Sequence, residues 1–240
     1  MEEEMTRKQR RELKRQEKLE SRSEESKRKS RQKMIVILIV VIGVVGLGWL
    51  LTFAGNSSET TTGSVDTIVD PIKGNADATV VIQEYSDFQC PACRSAESVV
   101  DSVLTQFGDQ VRLEYNDFPL KSIHRNAEAA AIAANCANLQ EGKYWDFHNL
   151  LFTNQTSWEA LGSTELTDTL MTYASQLEMD TEAFQTCIDS KATQNNVDED
   201  IREAARKNIN STPTFFVGDE RVVGADAAGL TTAIEKALAQ

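Results

Sequence analysis

Hydrophobic residues fall into four kinds of pattern along the chain. From Met34 to Ala54 the run MIVILIVVIGVVGLGWLLTFA carries no charge. From Thr79 to Tyr85 a short β-branched and aromatic stretch, TVVIQEY, predicts a strand covered on both faces. After Cys90 the apolar residues take a helical spacing: Ala96, Val99, Val100, Val103, Leu104 and Phe107 share one face. Pro91 suits the first turn of that helix and Gly108 its end. Alternation follows, with Val111, Leu113 and Tyr115 on one face and Arg112, Glu114 and Asn116 on the other. A strand, a helix and a strand of these lengths predict a right-handed βαβ unit with parallel strands.

Residues from about 122 to 208 read as a helical block. An alanine-rich helix takes in Ala127, Ala130, Ala131, Ala133, Ala134 and Ala137, and further helices are predicted over 143–153, 165–177, 181–189 and 191–208. The segments 214–217 and 221–223, separated by Gly218-Asp219-Glu220, carry a hairpin signal. Ala227, Leu230, Ile234 and Leu238 mark a last amphipathic helix. The expected fold class is α/β, with a helical insertion between the βαβ unit and the hairpin.

Charge divides the same chain differently. The whole sequence has 25 basic and 37 acidic residues; the first 33 hold 13 and 8, which leaves 12 and 29 beyond the apolar run. The N-terminal tail is thus net +5 and the segment 55–240 net −17. At 1.5 Å per residue the 34–54 run spans about 31 Å as a helix, close to the hydrocarbon thickness of a bilayer. Lys27, Arg28, Lys29, Arg31 and Lys33 precede it, and Gly55-Asn56-Ser57-Ser58-Glu59 follows. That asymmetry predicts a single transmembrane helix with the N-terminus in the cytoplasm. A cleavable signal is the competing reading, with Thr52-Phe53-Ala54 as its cleavage site, but leader and run are both long for one. Either way residues 55–240 are exported. The tail 1–33 suits topogenic charge and attraction to the lipid bilayer rather than nucleic acid, since acids are interleaved and aromatics are missing. Residues 55–64 (GNSSETTTGS) read as a flexible tether and 65–240 as the folded domain, expected to be monomeric.

Export gives the cysteines their meaning, because thiols outside the cytoplasm are usually oxidised. All four, Cys90, Cys93, Cys136 and Cys187, lie in the exported part. Cys90-Pro91-Ala92-Cys93 opens the first helix. A thiolate there meets unpaired N–H groups and the positive end of the helix dipole, which marks Cys90 as nucleophile and the more interior Cys93 as resolving thiol. The alternatives are a structural disulfide and a zinc half-site; the remaining candidates His124, His148, Cys136 and Cys187 form no second ligand pair, so no metal is expected. Both histidines read as packing or capping residues, His124 at a helix start. Glu84 is the one acid in an apolar strand, either a buried acid or a solvated residue at a strand end. Three Asn-x-Ser/Thr triplets, at Asn56, Asn154 and Asn210, are treated as chance matches.

The segment Glu84-Tyr85-Ser86-Asp87-Phe88-Gln89-Cys90-Pro91-Ala92-Cys93, with Ser211-Thr212-Pro213-Thr214-Phe215-Phe216-Val217-Gly218 far downstream, closely resembles the DsbA-like thiol–disulfide oxidoreductases, in particular their membrane-anchored branch. Asn126–Ala137 and Trp145–Phe152 look like the family's helical insertion. The resemblance covers about 65–240. It implies a thioredoxin fold with an inserted helical domain, and a cis Thr212–Pro213 peptide facing the CPAC pair, with the Thr212 hydroxyl tuning the nearby sulfur. It implies that Glu84 is a buried acid serving Cys93, and that Cys136 and Cys187 form a second, structural disulfide; two free thiols are the alternative. It implies no cofactor. Substrates would be exported proteins with free thiols, and a membrane redox partner would restore the CPAC disulfide. Pro91-Ala92 departs from the Pro-His of strongly oxidising members, so the reverse activity, reductase or isomerase, stays open beside oxidase. A redox-inert chain-binding domain is the non-enzymatic alternative.

Overall fold

A computed structural model of the chain describes residues 70–240. The tail, the apolar run expected to cross the membrane and the tether lie outside the described residues. Among those described, no helix is long and apolar enough to span a bilayer.

The β-branched stretch forms β2 (Val80–Ser86), the middle strand of a five-stranded sheet. An edge strand not expected from the sequence, β1 (Ile72–Gly74), pairs antiparallel with β3 (Val111–Asp117), which runs parallel to β2. On the other side of β2 stand β4 (Thr214–Val217) and β5 (Glu220–Val223), both antiparallel to their neighbours, giving the order β1-β3-β2-β4-β5. Val217 pairs with Glu220, so the hairpin loop holds two residues rather than the expected three. Gly218 has φ 58°, the positive value that a tight hairpin turn needs at its first central position.

Helix α1 (Pro91–Phe107) makes the crossover from β2 to β3. It buries Cys93, Ala96, Val100 and Val103, and the chain leaves it at Gly108, whose φ is 55°. Full burial of an aliphatic side chain is worth about 1.5–3 kcal/mol, so each of these valines contributes on that order to holding α1 on the sheet. Asn116, expected on the polar face of β3, is buried instead. Helix α7 (Gln194–Arg206) covers the end of that strand, and the Asn116 amide donates to the carbonyls of Glu84 and Glu114.

The helical block consists of α2 (Ala127–Asn138), α3 (Tyr144–Thr153), the short α4 (Gln155–Trp158), α5 (Ser163–Gln176), α6 (Thr181–Ser190) and α7. Helix α4 was not expected, and His124 lies in the turn before α2 rather than at a helix start. The alanine face of α2 is almost completely buried, which lets its neighbours approach closely. Cys136 of α2 and Cys187 of α6 are joined by a disulfide. The last helix, α8 (Ala227–Leu238), packs Leu230, Ala233 and Ile234 into the same apolar cluster as Val100 and Val103. A second cluster fills the helical block, and Phe88, Cys90 and Cys93 belong to that one.

Candidate active site

Cys90 is the N-cap of α1. Helices usually place Ser, Thr, Asp or Asn there to occupy the unpaired N–H groups. Here the cap side chain is a thiol, no cap hydrogen bond is made, and the first turn holds no acid. The positive end of α1 is thus left to the sulfur. Cys90 and Cys93 are free thiols, both buried, Cys93 completely. The Cys93 thiol, the nearby Thr212 hydroxyl, which makes no hydrogen bond of normal geometry, and the N–H groups of Cys93 and Ala92 favour the Cys90 thiolate. Against the opposing effect of burial they lower its pKa from 9.0 to about 5. Burial and the neighbouring Cys90 push Cys93 well above the usual thiol range. One sulfur is held as thiolate and the other as thiol, which is the division of labour that disulfide exchange requires.

The Thr212–Pro213 peptide is cis, and the Cys90 thiol faces the Thr212 carbonyl at 3.6 Å. The loop is fixed from behind: the Gly224 N–H donates to the Pro213 carbonyl at 2.9 Å, and the Thr214 hydroxyl to Ser211 at 2.8 Å. The strand pairing Tyr85↔Thr214 brings this loop to the same sheet end as the CPAC turn.

Glu84 is fully buried on β2, which removes the solvated alternative. Neither carboxylate oxygen has a hydrogen-bond partner, and burial raises its pKa from 4.5 to about 7 against the pull of the Ser86 hydroxyl and Lys73. That same hydroxyl favours the Cys93 thiolate, so Ser86 stands near both groups, although it makes no hydrogen bond of normal geometry. On α1, burial and the charge of Glu84 push Glu97 up to about 9.

Several residues around the pair carry no local sequence signal. The Asp87 N–H donates to Cys93 Sγ at 3.4 Å. The Asp87 carboxylate accepts from Gln89 N, Leu120 N and lies 2.7 Å from His124 Nδ1, tying the CPAC turn to the loop before α2. His148 is completely buried among Phe88, Tyr115, Trp145 and Phe152, and burial holds its pKa down to about 3, so it packs as a neutral ring. Away from the cysteines, two carboxylates meet where β3 ends. The Asp117 N–H donates to Asp200 Oδ2 at 2.8 Å, and Asn135 donates to the Asp117 carboxylate. Burial pushes both acids up, Asp117 to about 7 and Asp200, further raised by the charge of Asp117, to about 9. Among the described residues no group of three or more His, Cys, Asp or Glu is arranged to hold a metal ion.

A CxxC pair capping the first helix of a βαβ unit and facing a cis-proline loop defines a class: the thioredoxin-fold thiol–disulfide oxidoreductases of DsbA-like type. The chain belongs to the thioredoxin family, whose model matches residues 66–236. Among solved structures, BdbD from Bacillus subtilis, in its oxidised form, superposes with a TM-score of 0.64 at 26% identity, over 71% of this chain and 94% of that one. A thioredoxin-like oxidoreductase from Silicibacter pomeroyi gives a TM-score of 0.60 at 27% identity, over 71% and 93%. The curated relatives include a protein named Na(+)/H(+) antiporter NhaA 1 from Salinispora arenicola, 33% identical over 176 residues. That match takes in 73% of this chain and 26% of the relative, so the chain spans about a quarter of the length of the curated relatives it matches.

Proposed function

We propose that this protein is a membrane-anchored thiol–disulfide oxidoreductase whose catalytic domain works outside the cytoplasm, donating the Cys90–Cys93 disulfide to exported proteins. The observation that carries this reading is the Cys90 sulfur on the N-cap of α1, opposite the cis Thr212–Pro213 peptide, with its pKa lowered to about 5. A thiolate stabilised in this way stabilises the reduced enzyme, and an enzyme whose reduced form is stable is an oxidant. The likeness to BdbD and to the Silicibacter oxidoreductase supports the same chemistry. The apolar run 34–54 with its basic N-terminal flank supports the anchor and the orientation.

The reaction needs no cofactor. A substrate thiolate attacks the Cys90 sulfur, the Cys90–Cys93 bond breaks, and Cys93 leaves and takes up a proton, for which Glu84 is the buried donor. The second substrate thiolate then attacks the substrate sulfur of the mixed disulfide. Cys90 departs as a thiolate, the better leaving group of the pair, and the substrate carries away the new disulfide. The loop at Thr212–Pro213 receives the substrate backbone beside Cys90. Two electrons have then entered the enzyme, and a membrane redox partner removes them to restore the disulfide.

The same residues run the reverse reaction, and Pro91-Ala92, without an imidazole between the cysteines, favours that second reading. The reduction potential decides between them. A value nearer −120 mV is expected for the oxidase, and one nearer −270 mV assigns the protein as a reductase. A Cys90→Ser variant that exchanges thiols as fast as the parent would overturn both readings in favour of a redox-inert chain-binding domain. Protease access to residues 70–240 in intact cells whose wall has been removed tests the orientation: protection places the domain inside and defeats the export reading.

A further inference from the structure

One buried amide beside the cysteines has no part in the reaction described above. Gln155 opens α4 in the helical block and is fully buried. Its Nε2 donates to two backbone carbonyls far upstream, Phe88 at 2.8 Å and Cys90 at 3.0 Å. The Cys90 carbonyl also accepts from Arg94 N at 3.2 Å, the first hydrogen bond of α1. Gln155 therefore grips the peptide unit at which α1 begins, and hence the position of the Cys90 sulfur relative to the N–H groups of Ala92 and Cys93. Two donors on one neutral nitrogen are what this place demands. A hydrocarbon would leave the buried Phe88 carbonyl without a donor and the Cys90 carbonyl with Arg94 N alone, and a lysine would bring an unpaired charge. Gln89 supports the same joint from its other side: its Nε2 donates to the Glu159 carbonyl at 2.8 Å, and its Oε1 accepts from Asn126 N at 2.8 Å.

We propose that Gln155 is a positioning residue for thiol exchange, holding the Cys90 carbonyl so that the nucleophilic sulfur stays on the N-terminus of α1 and coupling the helical block to the CPAC turn. The helical block, on this view, sets the reactivity of the cysteines as well as covering them. The inference rests on the oxidoreductase reading given above.

The test is Gln155→Met in the full-length chain in detergent, a side chain of similar length with no donor. Two quantities are read: the Cys90 pKa from thiolate absorbance of the reduced protein, and the equilibrium of the CPAC pair with glutathione. Both are properties of the folded molecule that a loss of stability alone does not move. The Cys90 pKa is expected to rise by about one unit. The exchange equilibrium is expected to shift roughly tenfold towards the oxidised enzyme, equivalent to about 30 mV. Unchanged pKa and equilibrium in a folded variant overturn the inference, however far the melting temperature falls. If Gln155→Met does not fold, Gln155→Asn, which keeps the amide but withdraws it by one methylene, is measured in the same way with the same shift expected. Should neither fold, Gln155 is a structural residue and the inference is likewise overturned. A parent protein that does not exchange with glutathione at all defeats the oxidoreductase reading instead, so the two failures are distinguishable.

Discussion

The proton that Cys93 must gain or lose has to pass through a buried site, and Glu84→Gln asks whether Glu84 carries it. Glu84 sits on the central strand with no exposure and with neither carboxylate oxygen hydrogen-bonded. The rise of its pKa from 4.5 to about 7 makes the charged form costlier in the folded protein by roughly 3 kcal/mol. The folded pKa lies above the unfolded one, so the stability this group contributes is complete below about pH 4.5 and is lost as pH rises through 7. Glutamine cannot ionise. The variant should match the parent in urea unfolding at pH 4.5 and exceed it above pH 7, by up to about 3 kcal/mol. The kinetic consequence is sharper. When the reduced enzyme reacts with glutathione disulfide, Cys90 thiolate attacks first, and Cys93 must then shed its proton to displace glutathione. With Glu84 as base the second step should rise with an apparent pKa near 7. Without it the inflection should move up towards that of the Cys93 thiol itself, and the rate at pH 7 should fall by on the order of 10²-fold, the lower end of general-base contributions. Stopped-flow fluorescence across pH 5–10 reads both limbs. An unchanged pH profile refutes the proton-transfer role, and a stability difference equal at pH 5 and pH 8 refutes the buried, perturbed carboxylate.

Thiolate absorbance of the reduced protein should titrate with a midpoint near 5 for Cys90; Thr212→Val should raise that midpoint by less than the roughly half to one unit that an ordinary hydrogen bond is worth, because the hydroxyl lies near the sulfur without a hydrogen bond of normal geometry. Replacing Cys136 and Cys187 together by alanine opens a loop with a sequence separation of 51, which should cost about 4 kcal/mol in denaturant unfolding in the chain-entropy model while leaving the Cys90 pKa in place. The Asp117–Asp200 pair predicts that stability declines from pH 5 towards pH 9, because both folded pKa values stand above the unfolded one. Asp200→Asn keeps an oxygen for the Asp117 N–H and removes the cost of holding that acid protonated in the fold at pH 8, so its melting temperature there should exceed the parent's, each 1 kcal/mol being worth about 2–4 °C in a domain of this size. Equal slopes of melting temperature against pH in parent and variant would count against the assignment.

What was legible from sequence follows the range over which each feature is determined. Helix α1 announces itself locally, through a six-residue apolar face, Pro91 inside its start and Gly108 at its end, and the βαβ unit follows from it. Cys90 as a thiol N-cap was readable for the same reason, since cap, spacing and missing first-turn acids all lie within a few residues. Strand β1 has only three residues and no alternation to betray it. It exists because β3 offers an open edge and because Trp145 Nε1 donates to the Ile72 carbonyl at 2.7 Å. The buried face of Asn116 and the acid at Asp200 are set by α7 crossing the end of β3, a contact between segments more than 80 residues apart. The Thr212–Pro213 loop came from family resemblance alone, because no local rule distinguishes a cis proline before a strand from the commoner trans one.

Ser86, Asp87 and Gln155 carry no functional signal of their own in the sequence, on similar physical grounds. Asp87 meets Cys93 through a backbone N–H, which is independent of the residue's identity, and Ser86 is an ordinary strand-end residue until the sulfur is placed beside it. Gln155 lies in the polar stretch Thr153-Asn154-Gln155-Thr156-Ser157, where nothing local marks it as buried. A buried side chain with two donors must find acceptors, and here they are carbonyls 65 and 67 positions away. That obligation runs in one direction: the amide does not need Cys90 in particular, but the Phe88 carbonyl, taken out of water by the helical block, needs a donor from that block, and the Cys90 carbonyl gains a second one beside Arg94 N. The inserted helices bury the turn that carries the nucleophile, and burial on that scale compels them to supply its hydrogen bonds as well.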